Sequence, residues 1–179
     1  MKLINKKKVI FLLSGNGSNL LTILKKNLIS PKFTPVAIIG NNYISKKIKE
    51  LIVSNKLEIK IYERIPKLTP KFISECDIIF SVGYLKKIDP QIIENYEIIN
   101  LHPSLLPKYK GLMTHKRMLI NNEASYGYSI HKVTKYLDDG EILSQKKGKI
   151  NSSDEFELSS NHKRLEHQNV YKDLINFLN

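Results

Sequence analysis

A single cysteine, Cys76, stands in the whole sequence, which excludes an internal disulfide and leaves no cysteine pair from which to build a metal site. A cytoplasmic setting is therefore expected. Long apolar runs are absent too: none approaches the roughly 18 residues that a membrane-spanning helix needs. The N-terminus is basic at Lys2, Lys6, Lys7 and Lys8, but the apolar run behind it is short and enters a Gly/Asn/Ser turn without a small-residue cleavage site. That pattern is a first strand and not a leader. No repeat, low-complexity tract or Pro/Gly/Ser linker divides the 179 residues, so one domain over 1–179 is expected. A chain of this length buries about two-thirds of its unfolded surface in one core.

Acidic residues are scarce, 17 Asp and Glu against 29 Lys and Arg, and the formal charge is +12. Such a balance invites a nucleic-acid partner. The lysines, however, are scattered along the whole chain among many Ile and Asn residues, and no aromatic platform is interleaved with them. Neither nucleic acid nor membrane is expected as a partner. The positive field still speeds the arrival of anionic small molecules.

Apolar runs short enough to be buried strands recur at Val9 to Leu13, Val36 to Ile39, Ile59 to Tyr62, Ile78 to Val82 and Ile98 to Leu101, separated by charged, helix-compatible stretches. Tyr128 to Val133 and Glu141 to Ile150 add two more. The alternation predicts an α/β fold: a mostly parallel, twisted sheet with helices on both faces, Rossmann-like in character. Helix starts are signalled by Thr69-Pro70, by Asp89-Pro90 and by the capping-box pair Ser152/Glu155. Tyr171, Leu174, Ile175 and Leu178 fall at helical spacing and predict one apolar stripe on the last helix. Only about a dozen residues separate Tyr62 from Cys76, close to the minimum for a parallel crossover.

Three segments carry polar groups where such sheets bind ligands. Ser14-Gly15-Asn16-Gly17-Ser18-Asn19 follows the first strand and precedes a helix near Leu20, so its backbone N–H groups and the helix dipole suit a phosphate. The third glycine of the dinucleotide fingerprint is missing, and the acidic Glu58 and Glu63 lie too far along. A nicotinamide cofactor is not expected. Ile98 to Pro107 delivers Asn100 and His102 on one side of a strand's C-terminal end, an amide that can donate to an oxyanion beside an imidazole that can handle a proton. Pro103 and Pro107 stiffen the loop that follows. Lys135 to Glu141 holds Asp138, Asp139 and Glu141; on its own it reads as a solvated turn, and spacing alone does not bring Asp138 to His102.

Taken in order, SGNGSNL, the stretch NLHPSLLPKYKG from Asn100 to Gly111 with its continuation LMTHK, the segment Ser129 to Thr134 ahead of Leu137-Asp138, and Glu166-His167 ahead of Tyr171 resemble the folate-dependent formyltransferase family along nearly the whole chain. The match is closest to the branch that formylates 5'-phosphoribosylglycinamide (GAR) in purine synthesis. The resemblance implies transfer of the formyl group of 10-formyltetrahydrofolate to the GAR amine, with Asn100, His102 and Asp138 catalytic. It implies contacts to the acceptor from Gly15, Asn16, Gly17, Ser18, Asn19 and Glu166, and a folate pocket lined by Leu85, Lys86, Ile88, Asn100, Val133 and Thr134. No metal is implied, and a monomer or homodimer is expected.

Three departures stand out against that family. Met113 replaces a common histidine, Asp139 replaces the glycine usual after the aspartate, and the Tyr62 to Cys76 connection is short where the family supplies a basic phosphate contact, a role open to Arg64 or Lys67. Other readings are a nucleotide-sugar N-formyltransferase, a non-catalytic ligand-binding relic of the fold, and a basic nucleic-acid-binding protein. Methionyl-tRNA formyltransferase and formyltetrahydrofolate deformylase would each require a further domain for which the chain has no residues.

Overall fold

The computed structural model describes residues 6–179; Lys2, one of the basic N-terminal residues, lies outside them. Element order is β1 (Lys8–Leu13), α1 (Ser18–Ile29), β2 (Thr34–Gly40), α2 (Lys46–Ser54), β3 (Lys60–Tyr62), β4 (Ile78–Ser81), α3 (Pro90–Asn95), β5 (Ile98–His102), α4 (Thr114–Ile120), β6 (Ser125–Lys132), β7 (Ile142–Lys149) and α5 (Glu155–Leu178). The strands form a seven-stranded sheet in the order β3-β2-β1-β4-β5-β6-β7. β1 pairs in parallel with both β2 and β4, and β2 with β3, whereas β6 and β7 form an antiparallel pair. All seven strands lie where the apolar runs predict them. The mostly parallel α/β sheet is the expected fold class.

The chain clusters into two compact units, the first running to Ile99 and the second Asn100–Phe177. In the first, β1 is apolar along its length because it is covered on both sides, with Val9 to Leu13 all buried. Phe11 anchors that core, its ring 5.8 Å from Phe33 and 6.1 Å from Phe80. The connection after β3 contains a single 3-10 turn at Pro70–Phe72 and no longer helix. Thr69-Pro70 is thus a correct start signal for an element that Ile73, already extended, ends after one turn. Asp89-Pro90 behaves as predicted, with the Asp89 carboxylate accepting from the Gln91 N–H at 3.1 Å.

In the second unit, α5 is capped by Asp154 and not by Ser152. The Asp154 carboxylate accepts from the N–H groups of both Phe156 and Glu157, while Ser152 Oγ accepts only from Asp154 N–H. A carboxylate suits the positive helix end better than a hydroxyl, which explains the shift. Of the predicted stripe on this helix, Leu174 is buried and Tyr171, Ile175 and Leu178 are half-buried. The buried face also carries Leu158, Val170 and two polar residues, His162 and Asp173.

Asp173 has a specific partner. Tyr128 on β6 is fully buried and its hydroxyl donates to Asp173 Oδ2 at 2.6 Å, with Lys146 Nζ 3.5 Å from the other oxygen. Burial and the adjacent carboxylate push the Tyr128 phenol well above its usual range, so the proton stays on tyrosine. Tyr128→Phe removes one donor from a buried carboxylate and should cost about 1.5–3 kcal/mol in urea unfolding. A loss below about 0.5 kcal/mol would show that Lys146 alone satisfies Asp173.

Candidate active site

β5 brings Asn100 and His102 to the same side of the strand because they are two residues apart. The loop behind them is tightly held. Ser129 Oγ donates to Ser104 O at 2.7 Å and accepts from Leu106 N–H at 3.0 Å, while Gln145 Nε2 donates to Leu106 O at 2.9 Å. Ser104 Oγ donates to Lys108 O at 2.7 Å. Tyr109, in the left-handed region, donates its hydroxyl to Glu123, and the Arg117 guanidinium lies 5.2 Å from its ring centre. These bonds fix the Tyr109 carbonyl in place.

That carbonyl can only accept, so the 2.9 Å contact from His102 Nε2 puts a proton on Nε2. Nδ1 is then turned to Asp138 Oδ2 at 3.4 Å. A bare nitrogen lone pair facing a carboxylate is unfavourable, whereas a protonated Nδ1 is matched by it. The site is therefore shaped for the charged imidazole. Burial opposes that charge and holds the His102 pKa below its ordinary value, although the Tyr109 carbonyl and Asp138 both pull it upward.

His131, on β6, connects the rest. Its Nδ1 donates to the Lys132 carbonyl at 2.8 Å, and its Nε2 lies 3.2 Å from the Asn100 amide nitrogen. Nε2 also lies 3.5 Å from Asp138 Oδ1. Burial pushes the Asp138 carboxyl up, but the His131 contact, the Gly111 N–H at 2.8 Å and the charges of His102 and His131 outweigh it and hold the group below its usual range. The loop that presents Asp138 closes where Lys132 N–H donates to Glu141 O at 2.9 Å. At Gly140 a Cβ would fall 1.8 Å from the Lys132 carbonyl oxygen, so only glycine fits there. His131, Tyr109 and Gly111 lie within the stretches that carry the family resemblance, but no role in the site was expected of them. The alternation of Ser129 and His131 along β6 is the one signal that could have found the first.

The remaining candidates divide between the units. In the first, Ser14 ties the glycine loop to the end of β4: Ser14 N–H donates to Gly83 O at 3.0 Å and Ser14 Oγ accepts from Leu85 N–H at 2.7 Å. α1 starts at Ser18 with no carboxylate in its first turn, as an anion site requires. Of the two loop glycines only Gly17 is demanded by the backbone, with φ at 67° and a Cβ that would meet Ile48 at 2.7 Å; Gly15 has open space around it. Leu85 is exposed, Lys86 is exposed and Ile88 is buried. Of the basic residues near the short connection, Lys67 pairs with Asp89 at 3.1 Å, and Arg64 donates to Tyr43 Oη at 3.2 Å.

In the second unit, Val133 and Thr134 are half-buried, and Thr134 Oγ1 closes a turn by accepting from Tyr136 N–H at 3.2 Å. Glu166 Oε1 lies 3.6 Å from His162 Nε2. Met113 takes a left-handed conformation just before α4 with its side chain exposed. Asp139 is ion-paired with Lys110, so the charge it adds next to Asp138 is compensated.

Comparison with known proteins agrees with this geometry. A family model described as formyl transferase matches residues 7–175. Phosphoribosylglycinamide formyltransferase of Escherichia coli (strain K12) is 31% identical over 160 residues, covering 82% of this chain and 74% of that protein. The same-named enzyme of Haemophilus influenzae is 29% identical, with 92% of this chain and 84% of that protein covered. Among solved structures, the phosphoribosylglycinamide formyltransferase of Campylobacter jejuni superposes with a TM-score of 0.83 at 27% identity, covering 97% of this chain and 98% of that one. With the family model matching almost all of its length, the chain belongs to the formyl transferase family.

Proposed function

We propose that the protein is a phosphoribosylglycinamide formyltransferase of purine biosynthesis, acting in the cytoplasm as a single domain over 1–179. It transfers the formyl group of 10-formyltetrahydrofolate to the GAR amine. The observation that carries this reading is the joined set Asn100–His131–Asp138–His102, in a chain whose relatives bear that activity. The amine attacks the formyl carbon and forms a C–N bond, and the carbonyl oxygen takes up the negative charge. An amide hydrogen of Asn100 donates to that oxygen. The growing anion offsets the desolvation that keeps His102 neutral, so the imidazole takes a proton from solvent at Nδ1, opposite Asp138, as the charge develops, and returns it to solvent when the charge collapses. Asp138, ionised, accepts the proton lost by the amine through water. The same proton goes to N10 of the departing tetrahydrofolate as the old C–N bond breaks.

Gly15, Asn16, Gly17, Ser18 and Asn19 bind the acceptor's phosphate and Glu166 its ribosyl or amine end, while Leu85, Lys86, Ile88, Asn100, Val133 and Thr134 contact the folate. The reading implies small-molecule partners, no nucleic acid and no membrane; among the described residues no helix is long and apolar enough to cross one. Purified protein with 10-formyltetrahydrofolate and GAR should release tetrahydrofolate, and His102→Ala should abolish the release. Turnover only with an amino-sugar nucleotide would keep the chemistry and replace the acceptor. No turnover with either would point to a binding relic.

A further inference from the structure

The second unit holds another group of ionisable side chains that are not members of the Asn100–His131–Asp138–His102 set. His115 lies in the first turn of α4, and His162 and Glu166 lie one helical turn apart on α5. His115 Nε2 is 2.6 Å from His162 Nδ1, with the two rings nearly perpendicular at 85°. His162 also packs against the Tyr126 ring, 5.5 Å between centres, and its side chain is 2% exposed. Its Nε2 finds no hydrogen bond and faces Glu166 Oε1 at 3.6 Å, on a carboxylate that is 12% exposed.

One proton sits between the two imidazoles, and its position has consequences for Glu166. If His162 donated through Nδ1, its bare Nε2 would confront a carboxylate oxygen in a dry setting. If His115 donates through Nε2, His162 carries its proton on Nε2 and aims it at Glu166. Only the second arrangement gives every buried polar atom a favourable neighbour. A histidine buried on a long helix is a costly choice for packing alone, because the Tyr126 ring it packs against belongs to an apolar cluster with Met118 and Leu158.

We propose that His115 and His162 are positioning residues: His115 donates to His162, whose Nε2–H, 3.6 Å from Glu166, orients that carboxylate for the ribosyl or amine end of the acceptor. The proposal rests on the reading of Glu166 as an acceptor contact. A carboxylate oriented by a buried donor keeps one rotamer and loses little freedom when the substrate arrives. The pair should therefore act on acceptor affinity and leave the chemical step alone.

Steady-state kinetics on the full chain separate the possibilities. His162→Leu should raise KM for GAR by about tenfold, the scale of a lost hydrogen bond to a charged group, with kcat and KM for 10-formyltetrahydrofolate within about twofold. His162→Gln places an N–H donor near the lost Nε2 and should recover most of that loss, a rescue that a purely packing role would not show. Glu166→Gln serves as the reference. If it raises KM for GAR while His162→Leu does not, the positioning role is wrong and the reading of Glu166 stands. If Glu166→Gln leaves KM unchanged, the acceptor role of Glu166 fails and the proposal goes with it. Should His162→Leu not fold, ¹⁵N spectra of the wild type, with His162 assigned by difference from His115→Gln, decide directly. A His162 Nδ1 that carries no proton supports the proposal, and a protonated Nδ1 overturns it.

Discussion

Asp138→Asn should lower GAR-dependent turnover by at least about 10²-fold, the usual size of a lost general acid–base contribution, while KM for GAR changes little. Asparagine is the right probe because the backbone at 138 is left-handed, with φ at 46°. Asn tolerates that region as well as Asp does, whereas alanine there would add about 1 kcal/mol of strain and confuse stability with chemistry. The oxygen of the new amide could still accept from the Gly111 N–H, so the loop keeps its anchor. Two functions are lost: the charge facing His102 Nδ1 at 3.4 Å, and the base that takes the amine's proton. The first loss also lowers the His102 pKa further, since Asp138 is one of the groups that pulls it upward against burial. Turnover equal to wild type would remove Asp138 from the proton path. A rise in KM with kcat unchanged would make it a binding group.

The sheet was legible because parallel strands buried on both faces must be apolar at nearly every position, and runs such as Val9 to Leu13 and Ile78 to Ser81 have few other uses. The trio was legible by a different route. Asn100 and His102 announce themselves by alternation at a strand end, but Asp138 reaches His102 through a loop whose path depends on Gly140 and on the left-handed turn at 138 itself. Spacing rules carry no information about such a closure, and only the family resemblance supplied it. The partners that set the protonation states were the least visible. Tyr109 and Lys132 act through backbone carbonyls and Gly111 through a backbone N–H, groups that every residue possesses and no sequence marks out. The shift of the α5 cap from Ser152 to Asp154 has the same origin: both residues satisfy the pattern, and geometry chooses the stronger acceptor.

Lowering the pH from about 7 to about 5 should weaken the fold by about 2 kcal/mol through His162 alone. Burial, then the neighbouring charges of His115 and His102, push the His162 pKa from 6.5 down to about 3. Glu166 at 3.6 Å acts in the opposite sense without reversing it. The native state thus keeps this imidazole neutral where the unfolded chain would protonate it. A depressed folded-state pKa means that the stabilisation is complete above the unfolded value and is lost as pH falls toward the folded one. The loss therefore begins near pH 6.5 and runs at about one proton, or 1.4 kcal/mol, per pH unit. His102 and His115 are shifted in the same direction by burial and add to the slope. The depressed carboxylates of Glu63, Asp89, Glu123 and Asp138 also favour the fold at higher pH, but the unfolded chain protonates them mostly below about pH 5. Between 6.5 and 5 the histidines are then the dominant source. Urea midpoints at pH 7, 6 and 5 measure the slope, and His162→Leu should flatten it by about one proton whatever its effect on stability at pH 7. Parallel slopes in the two proteins would mean that His162 is already charged in the folded state at pH 5, and a charged ring there would have to rest on Glu166, with the His115 proton turned the other way.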